Sequence, residues 1–239
     1  ITVPDSVKEI GERAFSSCLD IEKVNISSID NWCQINFNDQ FANPLHNGAA
    51  LYMNDALVSV LNINNISYIG ANSFYRYGYL EKLTVGETVK TIGDNAFIGC
   101  VELKELILKE GLVSIGESAF SGCNKLISLS LPDSVINISR FAFAYCNNLS
   151  YISIGAGIKR LDEVGIFESS SITSIKIPEG VERLGAQTFY NCKNLTSIIL
   201  PVSMQLIDYS ATRDCNNLRE VYYEGTESQW RNVVVQNYN

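Results

Sequence analysis

The amino-acid sequence predicts a solenoid: a right-handed superhelical array of about eight 23-residue turns, with short parallel strands, single helical turns and one 36-residue insertion. Three observations carry this prediction. Cys100, Cys123, Cys146, Cys192 and Cys215 are spaced by 23 residues or a multiple of 23, and Tyr77 and Ser169 fall on the two empty places. Apolar residues hold fixed offsets from each of these positions. Leu-x-x-Leu-x-Leu elements, such as Leu126, Leu129 and Leu131, close on proline or glycine. Self-similarity at such a period marks units that cannot bury their apolar sides alone and form one core by stacking.

Within a turn the elements follow in a set order. A short apolar pair comes first, Val89 with Ile92 or Val181 with Leu184, and reads as a brief strand. Next, Ala96, Phe97 and Cys100 lie three to four residues apart, which places them together on the inner side of one helical turn. The Leu-x-x-Leu-x-Leu element ends with a period of two, which suits a second strand. Stacked turns would pair these strands in parallel at about 4.8 Å per step, giving a body roughly 35 to 40 Å long. Phe97, Cys100, Phe120, Cys123, Phe143, Cys146, Phe189 and Cys192 are therefore expected in the core.

The pattern Ile-Gly-x-x-Ala-Phe-x-x-Cys-x-x-Leu-x-x-Ile-x-Leu-Pro resembles the BspA-like (Treponema pallidum type) leucine-rich repeat family. It is carried by Ile10-Gly11 with Ala14-Phe15 and Cys18, by Ile92-Gly93 with Ala96-Phe97, by Ile115-Gly116 with Ala119-Phe120, and by Leu184-Gly185 with Phe189. The resemblance covers nearly the whole chain and implies a leucine-rich repeat solenoid. Two turns depart from it. At Ser169 the Ala-Phe pair reads as Gly165-Ile166, and in the last full turn Thr212 replaces phenylalanine, with Met204 where valine is usual. Loss of a buried phenylalanine forfeits about 1.5 to 3 kcal/mol of burial, so looser packing is expected in both.

Cys18 and Tyr77 are 59 residues apart, and the excess over one period lies near residues 27–62. It contains Trp32, Pro44, Gly48 and the run Leu51-Tyr52-Met53, which reads as an ordered excursion. Trp32, Ile35 and Phe37 recur as Trp230, Val233 and Val235 with the same internal spacing, so a second copy of the module is expected to start over residues 224–239. No linker divides residues 1–239, which read as a single solenoid domain. Ile1-Thr2-Val3-Pro4 resembles the end of a strand element, which predicts a piece of a longer protein.

The formal net charge is −8. Nucleic acid needs clustered lysine and arginine, so it is not an expected partner, and no apolar run is long enough to insert in a membrane. Cysteines 23 residues apart do not have metal-ligand spacing, and His46 is the single histidine. No metal site, cofactor or catalytic constellation is read: a Ser-His-Asp or Cys-His arrangement needs a histidine beside a nucleophile, and His46 reads as a surface or locally bonded residue. Stacked cysteines would point in parallel into the core and stay free thiols. Cys33 has no evident partner.

If Leu126, Leu129 and Leu131 point inward, residues 127, 128 and 130 point outward, and so in every turn. The outward ladder is charged at Glu81, Lys82, Lys104 and Glu105 and again at Arg219 and Glu220. Between them lie Ile107, Ile127, Ser128, Ser130, Tyr151, Ser153, Thr173, Lys176 and Ile199, with Tyr222 at the far end. Apolar and adaptable polar side chains mixed in this way suit recognition, although serine, threonine and isoleucine are also ordinary on exposed strands. A second face, with Lys90, Lys159, Arg160 and Arg183, is a weaker candidate for an acidic partner. The resemblance implies a cell-surface or secreted location and an adhesin-like module that binds an extracellular protein or glycan, possibly host-derived. The alternative is an architectural spacer or assembly module with no ligand of its own.

Overall fold

The computed structural model describes residues 1–237. They form a solenoid of about nine turns in which two ladders of short parallel strands run the length of the stack. The first ladder begins with Lys23–Ile26, Ala50–Met53, Val60–Ile63, Lys82–Val85 and Glu105–Leu108. It continues with Ser128–Ser130, Tyr151–Ser153, Ser174–Lys176, Ser197–Leu200 and Glu220–Tyr223. The second consists of two-residue strands, among them Glu9–Ile10, Asn36–Phe37, Tyr68–Ile69, Thr91–Ile92, Ser114–Ile115, Asn137–Ile138 and Arg183–Leu184. In the regular turns both ladders keep the 23-residue register, as in Glu105 with Lys82 and Ser114 with Thr91. The inward residues of every turn join one hydrophobic core.

The Ala-Phe-x-x-Cys segment is not the expected helical turn. It is a run of tight turns in which residues five and one before the cysteine take left-handed backbone, such as Asn95 (φ 55°) and Gly99 (φ 66°), or Phe141 (φ 57°) and Tyr145 (φ 58°). The alternation divides the amides between two tasks. Ala96, Ile98 and Cys100 donate back three residues within the turn, while Asn95, Phe97 and Gly99 donate to Glu117, Ala119 and Ser121 of the next. A continuous helix would keep all its amides to itself. The segment thus forms a third hydrogen-bonded column, and it satisfies buried backbone groups that the strands do not reach.

Two side-chain columns fill the core behind it. Phe74, Phe97, Phe120 and Phe143 stack with ring centroids 5.1 to 5.3 Å apart and planes within 6° of parallel. Each cysteine sits beside them as a small apolar group with one weak donor: Cys100, Cys123 and Cys146 give their S–H to the carbonyls of Phe74, Phe97 and Phe120 in the preceding turn. Cysteine suits the position because it combines small volume with that bond. At Tyr77 the longer side chain carries its hydroxyl past the column to donate to the Val58 carbonyl at 2.8 Å.

Ser169 does not occupy the repeat position. The left-handed pair is Gly165 and Ser169, so Ser170 takes the cysteine place and Ile166-Phe167 the Ala-Phe place. Phe167 is fully buried and stacks between Phe143 and Phe189, and no phenylalanine is missing from this turn. The reason is a pair of compensating shifts: one extra residue between Leu161 and Gly165, and one fewer between Ser170 and Ile172. Leu161 still pairs with Leu184, and Ser174 with Ser197, at the 23-residue step.

Residues 27–62 add an irregular turn to the stack, not a loop beside it. Lys23–Ile26 pairs with Ala50–Met53 and Glu9–Ile10 pairs with Asn36–Phe37, so the segment feeds both ladders. Ser28 caps the helix Ile29–Cys33 by accepting from the Asn31 amide. Trp32, at the end of that helix, is 1% exposed and donates its indole N–H to the Ser73 carbonyl at 2.8 Å. Asn43 donates to the carbonyls of Asn72 and Ser73. In a regular turn the acceptor four residues before the cysteine takes an amide from the preceding turn. Here side chains replace it. Near the other end Thr226 caps the helix Glu227–Trp230, the strand Val234–Val235 follows, and Trp230 is half-buried against Tyr223. Residues 238–239 of the expected module lie outside the described residues.

Candidate functional site

The first ladder presents two outward columns. One holds Lys82, Glu105, Ser128, Tyr151, Ser174 and Ser197, and the next holds Thr84, Ile107, Ser130, Ser153, Lys176 and Ile199. Alternation in each strand buries Leu106, Leu129, Ile152 and Ile175 and turns these neighbours to solvent. Tyr151 is 62% exposed, Ile127 60%, Tyr222 53% and Ile107 36%. Ser128, Ser130, Ser153, Thr173 and Lys176 are also exposed, whereas Ile199 is half-covered.

Charge on this face lies toward its two ends and at Lys176. Lys82 meets Glu105 at 2.7 Å and Lys104 meets Glu81 at 3.0 Å, each bridging neighbouring turns. At the far end Lys176 reaches Glu224 at 2.5 Å. These pairs are exposed and worth little to stability, but they leave the centre of the face without a free charge. Where Tyr151–Ser153 and Ser174–Lys176 diverge, a groove of about 460 Å³ opens, bordered by Tyr151, Ser153, Ser174, Lys176, Ser197 and Ile199. The structure therefore places Tyr151, Ser153, Lys176 and Ile199 around one depression. Ile107, Ile127, Ser128 and Ser130 form the flat face beside it, and Tyr222 stands at the end of the ladder, beyond Ile199. Sequence reasoning did not find the groove, because the strands Tyr151–Ser153 and Ser174–Lys176 keep the 23-residue step and nothing in the repeat pattern marks them as unpaired.

The second face is less suited to an acidic partner than its cations suggested. Arg160 is held by Asp162 and Arg183 by Asp208, while the ammonium groups of Lys90 and Lys159 donate to the carbonyls of Glu87 and Ala156. His46 donates its Nδ1–H to the Asn43 carbonyl at 2.8 Å and packs edge-on against Phe41. Among the described residues no group of three or more histidine, cysteine, aspartate or glutamate side chains could hold a metal ion. Desolvation pushes Cys146 up to about 12 and raises Cys33, Cys100 and Cys123 as well, whereas hydrogen bonding with Cys215, and then with Ser170, lowers Cys192. Among the described residues no helix is long and apolar enough to cross a membrane.

Comparison with known proteins agrees with this architecture. Among solved structures, a leucine rich cell surface protein from Faecalibacterium prausnitzii is similar at 23% identity and a TM-score of 0.53, over 97% of this chain and 80% of that one. The Treponema pallidum leucine rich repeat protein aligns at 19% identity and a TM-score of 0.47, over 92% of this chain and 77% of that one. Curated proteins gave no match. The model of the BspA type leucine rich repeat region matches in six copies, over residues 1–43, 48–164 and 163–237. The chain belongs to the BspA type leucine-rich repeat family.

Proposed function

We propose that this chain is a binding module of a cell-surface or secreted, adhesin-like protein, and that it engages an extracellular protein partner through the outward face of its first strand ladder. The observation that carries the reading is the centre of that face, where Tyr151 stands at the rim of a groove bordered by serine hydroxyls and the ion-paired Lys176, and Ile107 and Ile127 extend the apolar surface beside it. A large amphipathic anchor among small polar groups is where binding energy concentrates. The serine and threonine hydroxyls adapt to a partner's backbone at little entropic cost. A glycan, stacked on the Tyr151 ring and held by Ser153, Ser174 and Ser197, is the second reading, and the same groove supports it.

The test is a screen of the folded chain against immobilised extracellular matrix proteins and a glycan array, followed by Tyr151→Ala. Saturable binding to a protein, weakened about 10- to 100-fold by Tyr151→Ala with the melting temperature unchanged, is the expected result. Binding that survives Tyr151→Ala and Ile127→Ser but is lost on altering Trp32 to Leu51 would move the site to the inserted module. No saturable binding to any member of either panel would favour the spacer.

A further inference from the structure

The two strand ladders lapse together where the turn of Cys146 meets the turn of Ser170. In the first ladder, Tyr151–Ser153 and Ser174–Lys176 belong to separate sheets, joined by one long backbone bond from the Thr173 amide to the Ser150 carbonyl, 3.3 Å. In the second, Asn137–Ile138 ends its sheet and Leu161 pairs only onward with Leu184. Among the described residues no hydrogen bond joins residues 136–139 to 159–162. Elsewhere in the regular stack a lapse is confined to one ladder: Glu105–Leu108 and Ser128–Ser130 are not one sheet, but Ser114–Ile115 pairs with Asn137–Ile138 beside them.

The turn column alone crosses this boundary intact. The amides of Phe141, Phe143 and Tyr145 donate to the carbonyls of Val164, Ile166 and Glu168 at 3.0, 2.9 and 2.7 Å, and the Tyr145 hydroxyl donates to Glu168 Oε1 at 2.8 Å. The phenylalanine stack is widest here, with Phe143 and Phe167 at 6.0 Å and 19°. A cleft lies on each side: the groove at Tyr151 on the first face, and a cleft of about 900 Å³ between Asn137 and Arg160 on the second. The turn at this boundary carries one extra residue between Leu161 and Gly165 and one fewer between Ser170 and Ile172, between strand segments that keep the 23-residue step.

We propose that residues 154–164 form a joint at which the preceding and following blocks of the solenoid rock against each other, with the turn column as pivot. Both clefts widen and narrow with that motion. On the first face it changes the distance between Tyr151 and the lip formed by Ser174 and Lys176, so the shape of the groove is set by the joint. Elements opened by few backbone bonds and flanked by protected ones are where proteins yield locally.

Spin-label distance distributions on the full chain, in a Cys18→Ser background, test this without a ligand. The pair Val60→Cys with Ser128→Cys and the pair Glu105→Cys with Ser174→Cys each span three strand steps on one column, about 14 Å. Both cross the unpaired edge between Glu105–Leu108 and Ser128–Ser130, and only the second crosses the joint. The second distribution should be broader and extend to longer distances; equal widths would overturn the joint. Deleting Glu163 and inserting one asparagine between Ser171 and Ile172 restores a regular turn and should narrow the second pair to the first. A folded regularised chain that stays broad would refute the register shift as the cause. If that variant does not fold, the two widths in the parent chain decide.

Discussion

Around residues 29–74 and again around residues 154–170 the regular pairing of strands lapses, yet the first lapse is bridged by several buried side chains and the second by Glu168 alone among the described buried ones. In the first, the Trp32 indole and the Asn43 amide reach the carbonyls of Asn72 and Ser73, the Asn72 amide reaches the Phe37 carbonyl, and Tyr77 ties to Val58. In the second, among the described residues, the buried Glu168 accepts from Tyr145, and nearer the surface the Ser171 hydroxyl donates to the Asn147 carbonyl at 2.5 Å. The difference teaches that a solenoid can lose main-chain pairing without losing rigidity, provided that other buried donors meet the orphaned acceptors. Where they do not, the boundary opens and solvent enters the clefts.

The sharpest way to break the comparison is to remove the bridge at the first interruption. Trp32→Ala deletes a fully buried ring and the donor to Ser73, and should cost about 3–5 kcal/mol in a denaturant melt. Trp32→Phe keeps most of the packing and should cost about 1–2 kcal/mol, the share of the lost hydrogen bond. At the second interruption, Tyr145→Phe removes the bond to the buried Glu168 carboxylate and should cost about 1–2 kcal/mol. A larger loss from Tyr145→Phe than from Trp32→Ala would reverse the ranking of the two boundaries.

The thiol column gives a further expected outcome that depends on pH. Burial raises Cys146 to about 12 from an ordinary value near 9, and it raises Cys100 and Cys123 in the same direction. A group whose folded value lies higher favours the protonated, folded form, so its contribution is complete below pH 9. It is lost as pH rises from 9 towards 12, because the unfolded chain ionises first. Chemical stability should therefore fall across that window, and replacing Cys123 by alanine should flatten the fall. Cys18, half-buried at the first turn, should react with a thiol reagent in the native state well before the others.

The period, the two ladders and the inward columns were legible because residues such as Phe97, Phe120 and Cys123 recur at fixed offsets and strand alternation then assigns each neighbour a side. The tight-turn column was not. Left-handed backbone at Phe141, Gln187 and Arg76 has no composition signal, since these residues are held there by the amides of adjacent turns and not by their own preference. The register shift had a signal that counting in steps of 23 passes over: Phe167 precedes Ser170 by the same three residues that separate Phe97 from Cys100. The Tyr151 anchor was legible as an exposed position. The groove beside it was not, because it depends on which neighbouring strands pair, and Tyr151 and Ser174 keep the ordinary 23-residue step.

Native-state hydrogen exchange, read peptide by peptide, tests the contrast between the two interruptions most directly. The account predicts that residues 150–156 and 172–178 open together at a lower free energy than residues 24–37 and 60–74, while the amides of Phe143 and Tyr145 at the pivot stay protected. Equal protection on the two sides, or earlier opening around Trp32 than around Tyr151, would contradict it.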